Sequence, residues 1–334
     1  MSGKKLILIT GPTGAVGPVV VNAFRVAGYP VRTLSIDAPP SGIWPNDVET
    51  RAGDVTDKIA VLEAMRGVDS VVHMAALLHN VNLPPMLQKK YKSINVGGTV
   101  KVVEASLKVG VRRIVFFSTI SVYGRSDGRI LTEDSMPEPE TFYAKTKYDA
   151  EKIIIAAKGP DGTKIGTILR LGTVYGPRIK GNYQLLLKSL AKNRFVPIGR
   201  GASRRTMIYD KDAAQAAKLA LEHPGAAGKI FNVSDGKFHT LNEIISTICK
   251  ALDRTPPRLS LPIGPIRFTT GIIEDMARMI GLQPLIMRAS IDKYTEDLAV
   301  DGRRIQRELG FVPQYNLLAG WQETVREMRK AGKL

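Results

Sequence analysis

The chain has 334 residues, 44% of them hydrophobic, with one cysteine, four histidines and a formal charge of +17. That length supports one large or two ordinary domains with a sizeable core, and a single thiol excludes an internal disulfide. No apolar run approaches a membrane span, no metal-ligand spacing is present, and the basic residues fall in short scattered groups such as 89–90 and 303–304. A transmembrane segment, a structural metal and a specific nucleic-acid partner are therefore not expected, and a cytoplasmic location is.

The chain opens on an apolar run at 6–9, followed by Thr10 and by glycines at 11, 14 and 17. A buried strand, a tight turn and a helix are predicted there, with Gly11 for the reversal, Gly14 for backbone approach to a pyrophosphate and Gly17 for close helix packing. Pro18 suits the first helical turn, and Val19, Val20, Ala23 and Phe24 give the helix an apolar stripe. Strands then alternate with helices: strands at 31–36, 48–52, 70–73, 113–117 and 164–169, helices at 58–65, 86–108 and 142–158. Beyond 176–177 the pieces shorten, with helices predicted at 211–222, 241–252, 266–280 and 317–330. The pattern implies an α/β fold, a doubly wound parallel sheet of Rossmann type in 1–170, and a smaller substrate lobe in 171–334, with a crossover of the chain between lobes allowed.

On the cofactor side, Asp37 follows the second strand, where an acidic residue takes ribose hydroxyls; as a residue type it equally suits a plain turn. No Lys or Arg lies between Thr33 and Arg51, which favours NAD over NADP. Asp54 follows the third strand and either reaches the adenine edge or holds its own turn. Small residues after His73, Ala75 and Ala76, let a cofactor pass close above the backbone, while His73 itself reads as core.

On the catalytic side, Tyr143 and Lys147 are four apart at a helix start and project from one face. A neighbouring ammonium and a positive nicotinamide both favour phenolate, making Tyr143 a general base. Tyr148 and Lys152 share the spacing, but five helical positions turn them about 140° away. The strand ending near residue 117 delivers Ser118, Thr119 and Ser121 to the carboxyl edge of the sheet. Any of these hydroxyls can bond a reacting oxygen, and Thr119 is the first choice.

Together, the glycine turn at 10–17, Gly53-Asp54, His73-Met74-Ala75-Ala76, Asn95-Val96-Gly97-Gly98-Thr99, Ser118-Thr119 to Tyr123-Gly124, Tyr143-Ala144-Lys145-Thr146-Lys147 and Val174-Tyr175-Gly176-Pro177 resemble the extended short-chain dehydrogenase/reductase family, the NAD-dependent epimerase/dehydratase group. The resemblance implies a catalytic triad of Thr119, Tyr143 and Lys147, with Lys147 also on the nicotinamide ribose. It further implies that Thr13, Ala15, Val16, Val55, Asn95 and Ser118 join Gly11, Gly14, Gly17, Asp37, Asp54, Ala75 and Ala76 around NAD, and that the protein is a homodimer. Ile120 and Ser121 replace the acidic pair of the sugar dehydratases, and Cys249 is far from any Cys/His epimerase pair. Hydride transfer at a secondary alcohol remains, as in a 4-epimerase of a nucleotide sugar. A 4-ketosugar reductase or a hydroxysteroid-type dehydrogenase is the alternative. Arg205 matches the family arginine that meets a UDP- or TDP-sugar diphosphate, whereas Thr173 stands where sugar-nucleotide epimerases resemble one another in having Asn. A non-catalytic dinucleotide- or RNA-binding protein is the reading of another class; an intact Thr119, Tyr143 and Lys147 set argues against it.

Overall fold

The computed structural model describes residues 4–37, 39, 42–78, 85–279, 294 and 296–334. In chain order the first part holds β1 (Ile7–Thr10), α1 (Gly17–Val26), β2 (Val31–Ser35), β3 (Val48–Ala52), α2 (Lys58–Met65), β4 (Ser70–His73), α3 (Pro85–Tyr91), α4 (Thr99–Val109), β5 (Arg113–Thr119), α5 (Phe142–Ala156) and β6 (Gly166–Leu171). There follow β7 (Thr173–Tyr175), α6 (Asn182–Ala191), β8 (Arg204–Tyr209), α7 (Asp210–Glu222), β9 (Ile230–Val233), β10 (Phe238–Thr240), α8 (Leu241–Ala251), α9 (Ile263–Met279), α10 (Arg303–Leu309) and α11 (Leu317–Lys330).

Seven parallel strands form the main sheet in the order β3-β2-β1-β4-β5-β6-β9. The short apolar strands β1 and β4 are buried along their whole length, as parallel strands covered by helices on both faces must be. One core packs α1, α7 and α10 on one face, around Val20, Phe24, Ala213 and Ile305; the other packs α2, α4 and α5, around Val61, Val102 and Ile154. The chain enters from β1 to one side and from β4 to the other, so the order reverses between them and the crevice opens at the ends of Thr10 and His73.

The seventh strand, β9, comes from beyond residue 171 and pairs with β6, so the chain crosses back after building part of the second lobe. That lobe holds a three-stranded sheet, β10-β8-β7, over a core of Tyr175, Tyr209, Ile244, Ile248 and Trp321. Tyr175 stacks on Trp321 with ring centroids 4.8 Å apart.

Several boundaries differ from the sequence reading for identifiable reasons. The helix predicted over 86–108 is broken by a π-turn at Lys92–Gly98, which lets the Asn95 side chain leave the helical ladder. A Cβ on Gly98 would lie 2.8 Å from a Val55 methyl, so the helix there runs close against the loop after β3. The strand predicted at 164–169 starts two residues later because Lys164 pairs with Lys158 across a short antiparallel bridge. The strand at 113–117 runs on to Thr119, paired with Leu171. The helix predicted at 266–280 starts at Ile263, and Ile280 lies outside the described residues.

Candidate active site

Gly11 carries a φ of +71°, and a Cβ there would stand 2.7 Å from the Ala75 nitrogen, so neither its conformation nor its neighbour tolerates a side chain. The loop after β4 thus lies directly against the glycine turn. Val16, the residue before α1, makes no side-chain cap, and the first turn of the helix carries no acidic residue. The Gly14, Gly17 and Val19 amides bond back within this turn and Pro18 has no N–H, so α1 offers an anion its positive dipole end and the Ala15 and Val16 amides just before it. Thr13, Ala15 and Val16 are half-buried around it and Gly14 is exposed. These residues fit the pyrophosphate of a dinucleotide.

His73 is fully buried at the switch point. Its Nδ1 lies 2.7 Å from the Thr10 hydroxyl and its Nε2 3.0 Å from the Thr99 hydroxyl, while burial and the Lys147 charge push its pKa down to about 3. It is a neutral brace. The Thr10 hydroxyl also accepts from the Ala75 amide, at 3.3 Å, which fixes the small-residue loop above the cofactor path.

Other residues assigned to the cofactor make internal bonds with their side chains. Asp54 accepts from the Thr56 amide at 2.8 Å, the turn-holding role, and Val55 is buried against Gly98. Asn95 accepts from the Leu77 amide at 2.8 Å and donates to the Thr146 hydroxyl at 3.0 Å. It ties the loop after β4 to α5. The Ser118 hydroxyl donates to Glu151, at 2.5 Å. Asp37 is exposed at the end of β2, beyond Ser35, whose hydroxyl donates to the Asp37 carbonyl.

Helix α5 starts where Thr141 caps the Ala144 amide at 3.2 Å. Tyr143 and Lys147 then share a face, with Glu151 a further turn along. Lys147 is buried and its ammonium lies 3.9 Å from the centre of the Phe116 ring, on the neighbouring strand. Desolvation lowers its pKa to about 7, and the Glu151 carboxylate opposes that fall. The Tyr143 phenol moves the other way from the sequence expectation. Burial, with the Tyr91 phenol adding to it, pushes it up to about 12. The protein alone therefore holds Tyr143 neutral, and the phenolate form needs a positive charge from a ligand.

Thr119 stands at the end of β5. Its hydroxyl accepts from the Ser121 amide and donates to the Ser121 hydroxyl, both at 3.2 Å, opening the 3-10 turn Ile120–Tyr123. Tyr148 and Lys152, the competing pair, lean on each other at 4.3 Å on a different face, with Lys152 also bonded to Asp149.

Glu151 and Arg170, which sequence reasoning did not single out, form an ion pair beneath this site at 2.6 Å, each side chain only 2% exposed. Arg170 also lies over the Tyr123 ring, and Tyr123 donates to Asn232 on β9. The signal available was the spacing of Glu151, one and two turns beyond Lys147 and Tyr143.

In the second lobe, Arg205 sits on β8, donating to the Tyr294 carbonyl at 2.9 Å and lying beside the Tyr183 and Tyr294 phenols, whose pKa values burial pushes up and the Arg205 charge partly offsets. Arg204 is locked to Asp297 instead. Thr173 opens β7, paired with Met207.

A sequence profile described as the NAD dependent epimerase/dehydratase family matches residues 7–234. The N-acetyl-alpha-D-glucosaminyl-diphospho-ditrans,octacis-undecaprenol 4-epimerase of Escherichia coli O157:H7 is 28% identical over 96% of this chain and 94% of its own length. The 3 beta-hydroxysteroid dehydrogenase/Delta 5-->4-isomerase of Mycobacterium tuberculosis is 24% identical over 92% of this chain and 86% of its own. Among solved structures, the UDP-glucose 4-epimerase of Thermotoga maritima with UDP-glucose superimposes with a TM-score of 0.78 at 21% identity, covering 98% of this chain and 99% of that one. The glycine turn at the switch point, the Tyr143 and Lys147 pair and a profile match over more than half the residues agree: this chain belongs to the NAD-dependent epimerase/dehydratase family and is an enzyme of the extended short-chain dehydrogenase/reductase type.

Proposed function

We propose that the protein is an NAD-dependent 4-epimerase of a diphosphate-linked sugar, a UDP- or TDP-sugar in the first instance. The observation that carries this is the placing of Thr119, Tyr143 and a buried Lys147 at the carboxyl ends of the strands, beside a glycine turn built for a pyrophosphate. Gly11, Gly14, Gly17 and the N-terminus of α1 hold the pyrophosphate, and the exposed Asp37 meets the adenosine ribose. When bound, NAD takes and returns the hydride at the sugar carbon.

The chain's own residues handle the proton. Tyr143 removes it from the sugar hydroxyl as the carbon is oxidised and returns it when the ketone is reduced from the other face. Thr119 donates a hydrogen bond to the same oxygen. Lys147 would bond the nicotinamide ribose, and the positive nicotinamide ring held beside Tyr143 would favour the phenolate. Arg205 turns from the Tyr294 carbonyl to the substrate diphosphate, in a second lobe that supplies specificity.

Two measurements test this. Denaturing the purified protein should release NAD, since an epimerase keeps its cofactor between half-reactions. Proton NMR of UDP-glucose or UDP-N-acetylglucosamine incubated with the protein should show the 4-epimer growing without added cofactor. Turnover only with added nicotinamide nucleotide would favour the ketosugar reductase. Oxidation of a sterol with indifference to nucleotide sugars would favour the dehydrogenase reading, which Thr173 and the resemblance to the mycobacterial enzyme support.

A further inference from the structure

From the end of α8 into the first turns of α9 the chain carries large apolar side chains with exposed surface. Leu259 is 82% exposed, Leu261 45%, Ile263 39% and Phe268 70%. The first three recur at every second residue, the spacing that puts side chains on one side of an extended run. The segment is not a loose end. Leu261 donates from its amide to the Pro197 carbonyl at 2.9 Å and accepts from the Gly199 amide at 2.7 Å. These bonds fix the backbone that carries Leu259 and Leu261, while the half-covered Ile263 side chain lies against Gly199.

Cations surround them. Residues 250–268 contain Lys250, Arg254, Arg258 and Arg267 against one acid, Asp253, a net of +3. Asp253 is itself 3.9 Å from Arg329. Exposed apolar groups suit a low-dielectric partner, and Arg254 and Arg258, both exposed, suit an anionic one. A second copy of this chain would bring two +3 faces together, so charge disfavours it. The prolines at 256, 257, 262 and 265 leave no regular strand edge for a peptide to extend. An anionic bilayer satisfies both demands, and the overall charge of +17 draws the molecule to it. Among the described residues no helix is long and apolar enough to cross a membrane, so the contact lies on the surface.

We propose that residues 250–268 dock the protein peripherally on an anionic lipid surface, with Leu259, Leu261, Ile263 and Phe268 entering the headgroup layer and Arg254 and Arg258 meeting lipid phosphates. The docked edge is pinned to residues 197–199, which lead into β8 and Arg205, so the substrate lobe faces the membrane. The proposal is independent of which sugar is turned over, and its test uses no substrate.

The experiment is co-sedimentation of the full chain with vesicles of phosphatidylcholine alone or mixed with phosphatidylglycerol. The protein should pellet with the mixed vesicles and stay in solution with phosphatidylcholine, and added salt should release it. Leu259→Ser with Phe268→Ser should weaken binding about tenfold or more, and Arg254→Ala with Arg258→Ala should weaken it comparably. All three forms should melt at the same temperature, because the altered side chains are exposed. Lys89→Ala with Lys90→Ala, on α3, should leave binding unchanged. No binding to the mixed vesicles would overturn the proposal. So would equal loss in the Lys89 and Lys90 variant, which would mean diffuse charge alone, or a dimer in sedimentation velocity that the Leu259 and Phe268 variant abolishes, which would assign the patch to a second copy.

Discussion

Tyr143 shows why a reactive residue has to be judged with its neighbours. Its phenol, pushed up to about 12 by burial, ionises less readily in the protein alone than that of a free tyrosine, so the phenolate is scarcer at neutral pH. On the proposed mechanism a bound nicotinamide would bring the positive charge that reverses this, so the base would form only in the assembled complex. Tyr143→Phe should lower turnover by roughly 10²- to 10⁴-fold, the usual range for general acid-base catalysis, and leave NAD binding nearly intact. Tyr148→Phe should change little, because Tyr148 packs beside Ile120 and Leu131 with Lys152 over its ring. Steady-state kinetics and NAD titration on both variants check this, and equal loss in the two would refute the choice between the pairs. Sequence periodicity puts the two pairs on different faces, since a turn of about 140° is fixed by helix geometry, and the place of Tyr143 at the helix start made it the choice. The direction of the Tyr143 shift was not legible, because burial depends on what other elements place around the ring.

At the scale of an element, α5 acts as a lever with three functional positions, Tyr143, Lys147 and Glu151, on successive turns. Lys147 is met by Tyr143 and Glu151 from its own helix, by Phe116 from β5 and by neutral His73 from β4. Glu151 is thus the one anion named in that set, and it raises a lysine pKa that desolvation has brought down to about 7. Glu151→Gln removes that support. The Lys147 pKa should fall further, so the ammonium is lost at lower pH and the alkaline limb of the pH–rate profile should move down. Breaking the pair also strands Arg170, at a cost of about 3–5 kcal/mol in stability. Replacing both partners, Glu151→Met with Arg170→Met, should restore much of the stability while the shifted profile remains. A profile unmoved in both variants would leave Glu151 a purely structural residue. The chain showed Glu151 at the right spacing, but its partner is nineteen residues away on β6, and only strand order brings Arg170 beneath it. Asn95 was named from the motif it sits in, but its partners were not legible: it lies in a π-turn, which helical periodicity cannot signal, and its side chain bonds Leu77 and Thr146.

For the whole molecule, the alternation of strands and helices made the parallel sheet readable up to β6, because central strands such as β1, β4 and β5 are local apolar runs. The return of β9 and the second lobe were less legible, since their short strands are buried by partners distant in sequence. Asp210 lies at this junction, at the start of α7, and is buried with neither carboxylate oxygen hydrogen-bonded. A Cβ on Gly176 would press on its carboxyl group, so the site is tightly closed. Burial raises the Asp210 pKa to about 7. The folded state therefore keeps a proton that the unfolded chain gives up from about pH 4, and rising pH favours unfolding until the folded carboxyl also ionises near 7. Stability from this group is full below about pH 4 and falls by up to roughly 1.4 kcal/mol per pH unit between there and about 7. Asp210→Asn, which cannot ionise, should flatten that slope. Chemical denaturation across pH 4 to 8 should show the variant relatively more stable toward pH 8, with the difference shrinking toward pH 4. A variant that loses stability equally at every pH would show that Asp210 is ionised and satisfied in the fold.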